Sequence, residues 1–254
     1  MSENRISLNL ARQNLRTLVE THALTSEQRA AVNIFSQARG GVGTRGYGKN
    51  ALGYEIAWWV HPQRYLKEME FLLSHLTLSS TERILSIGCG PAFHELALAL
   101  TFPDVNFLAT DLDEREIETA KTISDHIGCP KNLQFQVGDA LSVLSATDQH
   151  PYSHVISFAA LHDFPHLDRT LEKIALHLMP NGLFILTYNP FRLHDNFAAA
   201  SCLSDLLDRW FIVEQEDVLV TEVNSATFYG EIARLSQEKR GYPLVWNGIV
   251  ARRR

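Results

Sequence analysis

The 254-residue chain is short of the residues that covalent or metal staples need. It has three cysteines, Cys89, Cys129 and Cys202, far apart and without a C-x-x-C pair. A disulfide framework or zinc site is therefore not expected, and a reducing, cytoplasmic location fits. No apolar run approaches the ~20 residues that cross a bilayer. The opening "MSENRISLNLARQN" is polar and acid-containing, unlike a signal peptide, so no membrane association is expected. Positive charge is scarce as well: 23 Lys and Arg face 29 Asp and Glu, a net charge of -6. That balance argues against a nucleic-acid partner, which needs a basic face. The one basic cluster, the terminal "ARRR", reads as a solvated tail. Internal repeats and long polar tracts are absent too.

What the chain does have is enough apolar residue, 45%, to bury one large core or a core with a smaller cap. Its glycines are clustered: six of the 14 lie between Gly40 and Gly53, in and beside "GGVGTRGYGKN". Gly43, Gly48 and Lys49 spell most of a phosphate-binding P-loop, with Asn50 at the position of the metal-binding hydroxyl. A P-loop joins a buried strand to a helix N-terminus. Here "QRAAVNIFSQAR" reads as helix, so the strand is missing and the phosphate reading fails. The segment reads instead as a hinge or lid over residues 40–53, with a linker that touches nothing as its alternative.

Residues 5–39 carry Leu and Ile at helical intervals, and "EIAWWVHPQRYLKEMEFLLSHL" continues as helix, re-initiated near Pro62. Residues 1–75 are thus expected to form a helical cap, and 76–254 the main domain. From Arg83 the texture alternates: "RILSIG", "VNFLAT", "LQFQV", "HVISFA" and "GLFILTY" as strands, with helices between them. "LDRTLEKIALHLM" is one such helix, and "FIVEQEDVLV" and "YPLVWNGIVA" are late strands. This alternation predicts an α/β fold: a doubly wound, mostly parallel seven-stranded sheet with helices on both faces and an antiparallel last strand.

Between the first strand and its helix lies "GCGPA". Small residues at Gly88, Gly90 and Ala92 allow a sharp turn and close approach of a ligand. Asp111 ends the second strand, about 20 residues on, where an acid can bind a ribose. Asp139 ends the third, over the same crevice. In this arrangement the chain resembles the class I, Rossmann-like S-adenosylmethionine-dependent methyltransferases. The resemblance covers residues 83 to about 190.

It implies S-adenosyl-L-methionine as cofactor and S-adenosyl-L-homocysteine as product. Gly88, Cys89, Gly90 and Ala92 would wrap the amino-acid part, and Asp111 with neighbouring Leu112 the ribose. Asp139 and Ala140 would frame the adenine, with Ala159 on the strand-four edge. Ser86 stands where the family often has an acid, so it offers a hydroxyl without charge. A nicotinamide dehydrogenase would want glycine at Phe93, which argues against that rival.

The segment "LHDF" after strand four is similar to an element of small-molecule O-methyltransferases. It makes His162 the candidate general base, with packing beside the cofactor as its other reading. Asp163 could orient His162 or cap the next helix. Tyr47, Tyr54, Trp58, His61, Tyr188 and Asn189 are the expected substrate contacts. His94, next to the glycine loop, reads as a helix-surface residue, and no histidine spacing calls for a metal.

The expected activity is methyl transfer to a small molecule, at oxygen or else nitrogen. Methylation of RNA or protein, and a non-catalytic cofactor-binding subunit, are the alternatives. A homodimer is compatible with this reading.

Overall fold

The computed structural model describes residues 2–21, 62–76, 78–146, 151–161, 164, 166–188, 203–220 and 245–254. The helices are α1 (Ser2–Thr21), α2 (Pro62–His75), α3 (Phe93–Thr101), α4 (Glu114–His126), α5 (Ala140–Ala146), α6 (Leu167–His177) and α7 (Leu203–Leu207). The strands are β1 (Arg83–Ile87), β2 (Asn106–Asp111), β3 (Leu133–Val137), β4 (Tyr152–Phe158), β5 (Leu178–Tyr188), β6 (Phe211–Val220) and β7 (Val245–Arg253).

The strands form one sheet in the order β3-β2-β1-β4-β5-β7-β6. β1 to β5 run parallel, and β7 lies antiparallel between β5 and β6. The late hairpin expected from sequence is present, with its second strand inserted next to β5. The central strands are apolar on both faces, as helix-covered parallel strands must be. In β5 every residue from Gly182 to Tyr188 is buried. The two edge strands are mixed instead, exposing Val137 on β3 and Ile212 and Val218 on β6 beside polar residues. β6 exposes Glu214, Gln215 and Glu216 and is bulged there, which discourages pairing with another chain.

One core lies between the sheet and α1, α2, α3 and α4; the other lies between the opposite face and α5, α6 and α7. Ala11, Leu15 and Leu18 of α1 belong to the first core, as do Tyr65, Met69 and Leu72 of α2. α2 presses Phe71 onto β7, where a Cβ at Gly248 would stand 2.8 Å from its ring. The rest of the expected cap, including the glycine-rich hinge, lies outside the described residues.

The terminal "ARRR" is not the solvated tail expected: Ala251 to Arg253 pair within β7, and Arg254 donates to Phe211 O at 2.9 Å. One element boundary also differs from expectation. Leu178 and Met179 read as the end of α6, yet they begin β5, with Leu178 already extended. Pro180 accounts for this, because the residue before a proline avoids the helical region.

Candidate cofactor and methyl-transfer site

β1 ends where its two neighbours hold it. The Thr110 hydroxyl of β2 donates to Ser86 O at 2.9 Å, and the Ser157 hydroxyl of β4 donates to Ile87 O at 3.0 Å. The chain then turns through three left-handed residues, Gly88 (φ 73°), Gly90 (φ 55°) and Ala92 (φ 58°). The backbone N–H groups of Gly88 and Cys89 both donate to Thr110 O, at 2.8 and 2.9 Å. A side chain at Gly88 would collide with Ala160, just past β4, and would touch Phe164 at 3.9 Å. The loop is thus pressed between the ends of β2 and β4, at the carboxyl edge where open α/β sheets bind ligands.

Asp111 is the clasp of this loop. One carboxylate oxygen accepts Gly90 N–H at 2.8 Å, and the other accepts Asp113 N–H at 2.9 Å. Each oxygen keeps lone-pair capacity for a ligand hydroxyl. Beside it Leu112 is 71% exposed, and Val137, its neighbour across the β2–β3 ladder, is 44% exposed. A carboxylate flanked by exposed apolar side chains suits a nucleoside, with hydroxyls on one side and a flat ring on the other. The residues present therefore fit S-adenosylmethionine.

Asp139 has a local duty. Its carboxylate accepts Ser142 N–H at 3.0 Å and the Ser142 hydroxyl, capping α5 and holding its pKa below the ordinary range. Ala140, the first residue of that helix, packs against the second core. Ala159 is left-handed (φ 56°), and its N–H donates to Thr187 O at 3.0 Å. Tyr188 is buried, and its hydroxyl donates to Glu216 at 2.7 Å on β6. His162, Asp163, Tyr47, Tyr54, Trp58, His61 and Asn189 lie outside the described residues.

The sequence reading missed a set of buried polar groups under the loop. Ser86 does not stand alone: its hydroxyl donates to Glu95 of α3 at 2.5 Å. The strand-end acid that the family resemblance leads one to expect is thus replaced by a serine backed by a helix carboxyl. His94 is 4% exposed, and this corrects its reading as a surface residue. Its ring stacks on Tyr65 at 5.2 Å and tilts against Phe158 at 4.8 Å, with Nε2 3.4 Å from the Glu68 carboxyl. Glu68 in turn accepts the Thr187 hydroxyl at 2.8 Å, tying α2 to the end of β5. Glu116, in the first turn of α4, is 3% exposed.

Comparison with known proteins now decides the family. Residues 78–242 match a family model described as a methyltransferase domain. The chain belongs to that family. It is a class I S-adenosylmethionine-dependent methyltransferase, with the antiparallel last strand that the resemblance implies. An uncharacterised protein of Rickettsia prowazekii is 33% identical over 113 residues, a stretch spanning 43% of each chain. Among solved structures, the N-methyltransferase NodS from Bradyrhizobium japonicum superposes with a TM-score of 0.54 at 14% identity. That match covers 76% of this chain and 95% of NodS. The [4+2]-cyclase SpnF superposes with a TM-score of 0.58 at 17% identity, covering 72% of this chain and 78% of that one. Likeness at such identities speaks to the fold alone, and SpnF shows that this fold hosts other chemistry.

The buried acids are expected to make the methyltransferase less stable as pH rises past neutrality. Burial, ahead of other causes, raises Glu95 to about 7 and Glu116 to about 8, from an ordinary value near 4.5. A carboxyl whose folded pKa is raised stabilises the fold fully below its unfolded value and loses that contribution as pH rises through the folded value. His154 acts oppositely, since burial lowers it to about 4 from 6.5, but its contribution is flat above pH 6.5. Between pH 6.5 and 8 the ligand-free protein is therefore expected to lose stability. The slope reaches up to about 1.4 kcal/mol per pH unit for each proton released. Urea midpoints measured across this window check it, and Glu116→Gln should flatten the decline. A stability that rose equally in both proteins would refute the assignment.

Proposed function

We propose that this methyltransferase acts on an oxygen of a small-molecule acceptor, with His162 taking the acceptor's proton. S-adenosylmethionine, when bound, supplies a methyl group on a cationic sulfonium and leaves as the neutral thioether S-adenosylhomocysteine. Gly88 to Ala92 would hold its amino-acid part, and Asp111 with Leu112 its nucleoside.

The observation that carries this reading is the packing of Ala160 and Phe164 against Gly88. These residues bracket His162 in sequence, and their nearness to the loop supports looking for the base on the stretch between them; His162 itself lies outside the described residues. An imidazole near its ordinary pKa can accept a hydroxyl proton at neutral pH. The acidic net charge favours a metabolite over RNA, and the same reading takes the enzyme as cytoplasmic.

Methyl-labelled S-adenosylmethionine, incubated with the protein and either a metabolite extract or total RNA, tests the acceptor class. Label in the small-molecule fraction is expected; label confined to RNA or protein would sink the proposal. Once an acceptor is found, His162→Gln should lower kcat about 100-fold or more while S-adenosylhomocysteine affinity holds. Unchanged turnover would leave His162 as packing.

A further inference from the structure

The buried thiol of Cys89 in the glycine loop lies in the field of three carboxyl groups from three elements. Glu95 belongs to α3, Asp111 ends β2 and Glu116 lies in the first turn of α4. After burial itself, these three charges are what push the thiol up. Glu95 and Glu116 are 2% and 3% exposed. Glu95 receives the Ser86 hydroxyl, and Asp111 receives two backbone N–H groups. Among the described residues Glu116 receives no hydrogen bond, and both its oxygens are buried.

Among the described residues, no Lys or Arg side chain pairs with any of the three. The groups that bear on Glu116 are Asp111 and Asp113, both acidic. Among the described residues, the N-terminal end of α4 supplies the positive field there. Nor are these acids arranged to hold a metal, since no such group is found among the described residues. Burying a charged carboxyl with neither cation nor donor is costly, so Glu116 rests protonated until a positive charge offsets it, and a bound cation can supply one.

We propose that Glu116, together with Asp111 and Glu95, makes this cofactor site a reader of charge, favouring the cationic sulfonium cofactor over its neutral thioether product. This rests on the reading that S-adenosylmethionine binds at the glycine loop. The two ligands share ribose, adenine and amino-acid groups and differ by one methyl and one positive charge. An ionised acid beside the glycine loop attracts the charged form and is indifferent to the neutral one. At an effective dielectric of about 20, one carboxylate several ångströms away is worth roughly ten-fold or more in affinity. The spent product would then leave without that attraction, and fresh cofactor would displace it. Charge serves here as the mark by which the site tells used from unused cofactor.

Isothermal titration calorimetry at pH 8.5, with S-adenosylmethionine and S-adenosylhomocysteine in separate titrations, tests the inference. Wild-type protein is expected to prefer the sulfonium form. In Glu116→Gln that preference should fall about ten-fold, through weaker S-adenosylmethionine binding, with S-adenosylhomocysteine unchanged within about two-fold. The ligand-free variant should also melt at a higher temperature than wild type at pH 8.5, because an unpaired buried charge is gone. Loss of both affinities together would overturn the inference, since Glu116 would then serve groups common to both ligands. No change in either affinity would overturn it too, leaving Glu116 a structural acid. If Glu116→Gln does not fold, Glu95→Gln is read by the same outcomes. Wild-type protein that bound neither ligand would remove the cofactor reading itself, a failure distinct from an altered preference.

Discussion

Gly88→Ala is expected to abolish cofactor binding and to destabilise the fold by about 3–5 kcal/mol. Two independent costs meet at this position. Its φ of 73° lies in the left-handed region, which costs a residue bearing a Cβ about 1–2 kcal/mol. The added carbon would also overlap Ala160, which is backed by the buried Leu161, so the neighbouring segment cannot give way cheaply. Gly128 separates the two effects. It too is left-handed (φ 96°), but a Cβ there meets nothing within 4 Å. Gly128→Ala should therefore cost only the backbone term, about 1 kcal/mol. Urea unfolding of the two variants, read against wild type, gives the difference directly. The double change Gly88→Ala with Ala160→Gly should recover most of the lost stability, because it removes the overlap and leaves only the strain. Equal losses in Gly88→Ala and Gly128→Ala would show that the close approach of the two loops is unimportant.

The same contact explains which parts of the site were legible in the sequence. A strand, a loop of small residues and a helix follow one another in "RILSIGCGPAFHELALAL", and each step leaves a local mark. Asp111 and Asp139 could be placed because each follows an apolar strand at a known edge. Buried acids leave no such mark. "EREIETAK" reads as an exposed, acid-rich first turn, and Glu116 is legible as buried only once α4 lies on the sheet. Glu95 and His94 sit in an otherwise apolar helix, where a polar residue looks like the solvent face. α3 is instead covered by α1 and α2, so nearly its whole surface is interior. The cap reading hid this, since residues far upstream supply Tyr65 and Glu68 to the underside of the loop. Periodicity reports one face of one element; it does not report how many partners will cover that element. The order β5-β7-β6 was hidden for a related reason, because either edge of a late hairpin can pair with β5.

Asp111→Ala should raise the dissociation constant for S-adenosylhomocysteine about 100-fold or more. The carboxylate does two jobs, and their geometry lets them be separated. It holds the loop through Gly90 N–H and starts α4 through Asp113 N–H, each a charge-assisted bond worth about 1.5–3 kcal/mol. Each of its oxygens keeps lone-pair capacity next to Leu112 and Val137, where the proposed ribose hydroxyls would be received. Alanine removes both functions, whereas Asp111→Asn keeps one acceptor oxygen and the side-chain shape. If the loop clasp dominates, asparagine should retain part of the affinity and most of the stability, because one backbone N–H keeps its acceptor. If hydroxyl recognition dominates, both variants should bind weakly while asparagine still melts close to wild type. Calorimetric titration paired with thermal melting distinguishes the two. Near wild-type affinity in Asp111→Ala would remove Asp111 from the cofactor site altogether. Either informative result also bears on the buried acids. Without the Asp111 charge, Glu116 and Cys89 lose a repulsive neighbour, so both should titrate lower than in the wild-type protein. A thiol-reactivity profile for Cys89 that moved down in pH in Asp111→Asn would show that the acids act on the loop as one electrostatic unit.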